Sequence, residues 1–247
     1  MRSLQKLYLG SFCLAVVSAG AGVAAGWGTR WGLWHFKTGF LVLTWAAYGA
    51  LMAALLGVVA LVVNRASRKA VLFAIASIVL AIIVAGFPWQ MKQRAQRVPM
   101  IHDITTDTKN PPLFVAILPL RRDAANPPEY GGEAVAAQQL EAYPDIRPLT
   151  LTVPADMAFE KELRTARELG WDVAASSPDQ GRIEATDTTL WFGFKDDVVV
   201  RVTASDSGSR IDVRSVSRVG KSDVGTNATR IRNYLSRIQQ SASSATQ

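Results

Sequence analysis

The N-terminal part of this chain contains no acid. All twenty Asp and Glu of its 247 residues lie after Ile101, whereas residues 1–97 carry ten Lys and Arg. The formal charge of +7 therefore arises in the acid-free part, and residues 98–247, with 17 basic and 20 acidic groups, balance at −3. That distribution excludes a nucleic-acid-binding face, which needs its cations on the folded domain that meets the phosphates. Cysteine is nearly absent: Cys13 stands alone. One thiol inside an apolar run excludes an intrachain disulfide, and leaves no catalytic or metal-binding thiol for the rest of the chain. Phe12 precedes it, where a lipoprotein cleavage site takes a small residue, so no lipid anchor is expected there. Histidine is limited to His35 and His102, too few for a histidine-built metal site of three or four ligands. GxSxG, HExxH, CxxC, EF-hand, GxGxxG and GxxxxGK patterns are all missing, so no metal, cofactor or catalytic residue is assigned.

What the acid-free part does contain is long apolar runs. A bilayer core of about 30 Å takes roughly 20 apolar residues in a helix, and three uncharged stretches qualify: 7–25, 40–63 and 70–87. Small residues recur in the first (Gly20, Gly22, Ala24, Ala25, Gly26), either as a close-packing face or because such residues are common in membrane helices. Trp27, Trp31 and Trp34 follow at helical spacing beside Arg30 and Lys37, the composition of an interfacial belt. The lipid bilayer is thus the first expected partner.

Charge leaves the orientation tied. Arg2, Lys6, Arg65, Arg68 and Lys69 lie on one side, and Arg30, Lys37, Lys92, Arg94 and Arg97 on the other. The first segment tends to dominate, and Arg2 and Lys6 precede it directly. If Leu7–Val17 is instead the apolar part of a signal sequence cleaved near Ala19-Gly20-Ala21, two spans remain and the C-terminal region still faces outward. Both readings place that region outside the cytoplasm, on the periplasmic side of a bacterial inner membrane.

Residues 98–240 are expected to form one soluble domain, followed by a flexible tail at 241–247. Eight of the eleven prolines fall in 98–148, which reads as an extended, turn-rich arm with apolar residues to pack and a short helix near 133–141. Leu149–Val153 alternates as a strand. Pro154 opens a helix whose Ala155, Ala158, Phe159, Leu163, Ala166 and Leu169 share a face, with Gly170 as its stop. Strands are expected at 171–176, 182–188, 189–194, 198–203 and 210–217, with Asp196-Asp197 at a hairpin tip. A last helix runs over 223–239, capped by Ser222 or Asp223. The order gives an α+β domain, an antiparallel sheet with two helices on one face, behind a bundle of three transmembrane helices.

The segment GRIEATDTTLWFGFKDDVVVRV at 181–202 resembles a bacterial and plastid family known as domain of unknown function 1499. The likeness extends to IHDITTDTKNPPLF at 101–114, YPDIRPL at 143–149 and DVRSVSRVGKSDVGTNATRIRNYL at 212–235. The resemblance implies a small α+β domain, often attached to or exported across a membrane, and brings no activity with it.

The polar residues open several chemistries. His102-Asp103, with Asp107 four positions on, suits acid–base work or serves as turn and cap residues in the arm. Asp187 alternates in phase with Ile183 and Ala185, which aims it at the apolar face, where it needs an Arg partner. Arg201, Arg210, Arg214 and Arg218 lie on or after adjacent strands, and alternation sets Arg210, Asp212 and Arg214 on one face. They form either a ladder of ion pairs on a solvated face or a cradle for a phosphate or carboxylate, to which the N–H groups of 219–227 add donors. The ligand-binding set is taken as Arg201, Arg214, Arg218, His102, Asp103 and Asp187. Three functions stand at this point. The first is a binding module for an anionic small molecule, lipid headgroup or membrane-protein partner. The others are a membrane-bound hydrolase or transferase using the His102/Asp103 region, and a structural subunit of a membrane complex.

Overall fold

The computed structural model describes residues 6–243. Arg2 of the N-terminal cation pair and positions 244–247 of the expected tail lie outside the described residues. Two compact units are present: Met1–Arg94 with Leu190–Gly193, and Ala95–Thr189 with Phe194–Gln247.

The first unit is built on α1 (Leu7–Arg30), α2 (Phe36–Val63) and α3 (Arg68–Ala95), each long and apolar enough to cross a membrane. Their buried residues are all Gly, Ala or Ser, and most recur at alternating steps of four and three. The run is Ser11, Ala15, Ser18, Gly22 and Ala25 in α1, Ala46, Ala50, Ala53, Gly57 and Ala60 in α2, and Ala70, Ala74, Ser77 and Ala81 in α3, with Gly26, Gly28 and Gly39 buried outside it. That rhythm keeps one seam facing the neighbouring helices, and the missing side-chain bulk lets backbones approach closely. A Cβ on Gly39 would stand 2.6 Å from the Ala25 carbonyl oxygen, and one on Gly57 3.2 Å from that of Ala74. The Ser77 hydroxyl donates to the Ala53 carbonyl oxygen at 3.3 Å. Large residues such as Val17, Leu41, Leu55, Val62, Leu72 and Ile83 point outward, an arrangement suited to lipid rather than water. Ala53→Leu, overpacking this seam, is expected to destabilise the bundle by about 1–3 kcal/mol. The shift is readable as an earlier loss of helical signal when the protein in mild detergent is titrated with SDS.

Leu190–Gly193 packs within this same unit. The Trp191 indole N–H donates to the Val23 carbonyl oxygen at 3.1 Å, and Arg30 donates to that of Leu190 at 3.0 Å. Trp191 meets Phe87 edge-on at 5.1 Å, and Phe192 lies 5.0 Å from Phe40.

The second unit is an α+β domain. A six-stranded sheet runs β1 (Asp103–Thr105), β6 (Gly208–Ser217), β5 (Lys195–Ser205), β4 (Arg182–Thr188), β3 (Asp172–Ser177), and β2 (Leu149–Leu151) pairs further along β6. All pairings are antiparallel. Helices α5 (Ala155–Glu168) and α6 (Thr226–Ser243) cover one face, burying Phe159, Leu163, Ile231, Tyr234 and Ile238 against Ile183, Val198, Val200, Ile211 and Val213. The short helix α4 (Gly132–Ala142) brings Gln139 to β1, where its amide accepts from Thr105 N–H at 2.9 Å and donates to Thr105 O. That amide completes a strand only three residues long. Ser241–Ser243, expected in the tail, continue α6 as helix.

Two local expectations are corrected. Residues 189–194 form no strand: Thr189 N–H bonds the Phe194 carbonyl oxygen at 2.8 Å and closes the β4–β5 turn there. Asp196 and Asp197 are consequently no hairpin tip but buried members of β5, opposite Ser217 and Val216. The apolar run at 190–192 that imitated a strand holds the aromatics that group with the first unit.

A carboxyl group is buried in the core with no cation paired to it among the described residues. Glu162 of α5 is fully covered, and the nearby Tyr234 hydroxyl donates to its backbone carbonyl oxygen at 3.0 Å. Burial pushes this carboxyl up from 4.5 to about 8. The folded state then holds a proton that the unfolded chain releases above 4.5, so stability falls as pH rises from about 4.5 to about 8 and levels off beyond. Glu162→Gln is expected to remove that slope and stabilise the domain at pH 8, measured by thermal melting across the range.

Candidate functional site

Strand alternation gives the second face of the sheet an unusual content. Arg182, Glu184 and Thr186 of β4, Asp197, Val199 and Arg201 of β5, and Arg210, Asp212, Arg214 and Val216 of β6 share it, the opposite side from the helix-covered residues. Most of this face is shielded from solvent. The proline-rich arm crosses it, pressing Phe114 and Ile117 onto Val199 and Val216.

Physical chemistry explains the pairing of arm and charge. A proline-rich segment cannot build a ladder, so its backbone groups need other partners when buried. Guanidinium groups supply the donors. Arg214 reaches the Pro112 and Pro128 carbonyl oxygens at 3.2 and 2.7 Å, Arg201 that of Asn110 at 3.0 Å, and Arg218 that of Leu120 at 2.7 Å. Glu184 supplies the acceptor: its fully buried carboxylate receives the N–H groups of Val115, Ala116 and Ile117, each at 3.0 Å, and pairs with Arg182 at 2.9 Å.

The sequence-nominated residues fall into three places. Arg214 is fully buried and grips Asp103 with two parallel bonds of 2.9 and 2.7 Å, its plane over the Phe114 and Tyr130 rings. Burial, then the Asp103 charge, pushes the Tyr130 phenol up to about 12. Arg218 holds Asp197 at 2.8 Å, and Arg121, which the sequence reading missed, lies 3.2 Å from the same carboxylate. Burial pulls Arg121 below its ordinary value, Asp197 opposes this, and the Arg218 and Arg214 charges add to it.

Arg201 occupies the open end of the face. It meets Asp212 at 2.9 Å and Asp107 at 3.3 Å, and Arg210 reaches the same two carboxylates at 3.1 and 2.8 Å. The Asp212 bond, opposed by burial, sets Arg210 above its ordinary value. Arg210 keeps 42 % of its side chain exposed and Arg201 22 %, the most accessible guanidinium groups that meet on a shared carboxylate here.

His102 and Asp187 are not brought to that end. The His102 carbonyl oxygen accepts from Ser217 N–H, five positions along β6 from Asp212, or about 17 Å of strand. Asp187 points to the helix-covered face, as its phase implies, and pairs with Arg230 of α6 at 2.7 Å, while Arg230 also holds Asp196 at 2.7 Å. Burial disfavours the Arg230 charge, but Asp196 and Asp187 outweigh it and set this arginine above its ordinary value. The α6 N-terminus is likewise occupied from within: Asp223 accepts from Gly225 N–H at 2.8 Å and Asn227 N–H at 2.7 Å. No cluster of three or more metal-ligating side chains occurs among the described residues.

The family profile described as "Protein of unknown function (DUF1499)" matches residues 103–238, more than half of the chain. The chain belongs to this family. The match covers β1 through most of α6 and therefore the whole arginine–carboxylate face, and does not include α1–α3. No curated protein and no solved structure matches the chain.

Proposed function

We propose that this DUF1499 domain is a recognition module rather than an enzyme. In this reading α1–α3 hold it in a bacterial inner membrane with its soluble domain on the periplasmic side. Its ligand is an anion of the carboxylate or phosphate class, carried by a small molecule, a lipid headgroup or a protein partner. The supporting observation is the convergence of Arg201 and Arg210 on one oxygen, Asp107 Oδ2, at 3.3 and 2.8 Å. Two guanidinium forks around a carboxylate are the geometry with which proteins take up carboxylates and phosphates. Here the chain's own Asp107, on an arm loop, fills the position, and the rim is open enough for exchange. Arg214, Arg218 and Asp103 serve this site from behind by fixing the arm that carries Asp107.

The test is calorimetric titration of the full chain in detergent with phosphate and with citrate. Asp107→Asn removes the internal competitor and is expected to tighten binding of at least one anion about tenfold, while Arg201→Ala abolishes it. Absence of binding to both the wild-type protein and Asp107→Asn would sink the reading.

A further inference from the structure

The first unit carries a groove of about 480 Å³ between α2 and α3, lined by Tyr48, Leu51, Ile82, Gly86, Trp89 and Lys92 among others. Its chemistry is graded along the helix axis. Ile82 and Leu51 mark the apolar end, Tyr48 and Trp89 follow, and Lys92 is the only charged residue lining it. From Ile82 to Lys92 is ten residues of α3, a rise of about 15 Å, or half of a hydrocarbon core of about 30 Å. The groove therefore has the length of one leaflet, with a cation just past the apolar run where headgroups lie and an amphipathic Trp beside it. Tyr48, Leu51, Ile82, Trp89 and Lys92 are all exposed, so the walls face lipid. No acid lies anywhere in the first 97 residues to compete for Lys92.

We infer that this groove binds one anionic phospholipid, with an acyl chain along Leu51, Gly86 and Ile82 and the phosphate at Lys92. Charge complementarity selects the occupant. A zwitterionic lipid also brings a phosphate, but its own ammonium offsets the attraction, whereas phosphatidylglycerol presents an unopposed negative charge to a lysine at headgroup depth. The site is separate from the Arg201–Arg210 rim and does not depend on it.

Gly86 provides a second handle. A Cβ there meets nothing within 4 Å, so Gly86→Leu fills the groove without a clash in the helix. Lys92→Gln removes the charge and leaves the walls intact. The full chain is reconstituted in nanodiscs of phosphatidylcholine and phosphatidylglycerol at a three-to-one ratio, and the lipids retained after release are identified by native mass spectrometry. The wild-type protein is expected to keep one phosphatidylglycerol in preference to phosphatidylcholine. Lys92→Gln should lose that preference at least fivefold, and Gly86→Leu should lose the retained lipid, both with unchanged helical content. No preference in the wild-type protein overturns the inference. So does a preference that survives Lys92→Gln, which means an uncharged acyl slot, or a lipid that survives Gly86→Leu, which means a headgroup contact without a groove.

Discussion

Arg214→Ala is expected to destabilise the soluble domain by about 3–5 kcal/mol, the usual result of stripping one partner from a buried ion pair. The substitution leaves Asp103, 4 % exposed, without its two short bonds, and leaves the Pro112 and Pro128 carbonyl oxygens without a donor. Neither loss is repaired by water while the arm stays down. Arg214→Lys should recover only part of the stability, because an ammonium cannot reproduce the parallel pair to Asp103 while reaching both carbonyls. Chemical denaturation of the purified protein reads the difference. A melt of Arg214→Ala within about 1 kcal/mol of wild type would mean that the buried pair contributes little and that the arm is held elsewhere.

Glu184→Gln should have the second-largest effect, on the order of 3 kcal/mol, since hydrogen bonds to a charged group each contribute about 1.5–3 kcal/mol. Three consecutive amide donors converge on this carboxylate. A carboxamide of the same shape turns an NH₂ toward at least one donor and loses the charge that balances Arg182. The readout is local as well as global: amide exchange at Val115, Ala116 and Ile117 should accelerate while that of Val200 and Val213 in the sheet core stays slow. Unchanged exchange at the three arm amides would show that Glu184 does not fasten the arm.

Much of the architecture was legible because it rests on periodicity. The apolar runs announced the three helices, the 155–169 pattern announced α5, and alternation put Asp187 on the helix-covered side with an arginine for a partner. Alternation also set Arg210, Asp212 and Arg214 together. What covers them was not legible, because an irregular arm leaves no periodic signal and its docking depends on contacts between residues about seventy to one hundred and ten positions apart. For the same reason Glu184 and Arg121 went unnoticed, although the phase of Glu184 with Arg182 and Thr186 placed it on the charged face. Asp196-Asp197 misled because paired acids usually mark turns, and only their arginine partners on other elements make a buried position tolerable. The four-three spacing of small residues was present in all three membrane helices, but small residues are common enough in such helices to hide a seam.

The candidate ligands for the Arg201–Arg210 rim differ completely between the two sides of a membrane, and the flanking charges are tied at five against five. The decisive measurement is a pair of reporters fused at the C-terminus, one active only outside the cytoplasm and one active only inside. Activity of the outside reporter with silence of the inside one is the expected result, and directs the search to envelope lipids, glycans and proteins. The reverse pattern contradicts the periplasmic assignment and makes cytosolic phosphates and carboxylates the ligands to test.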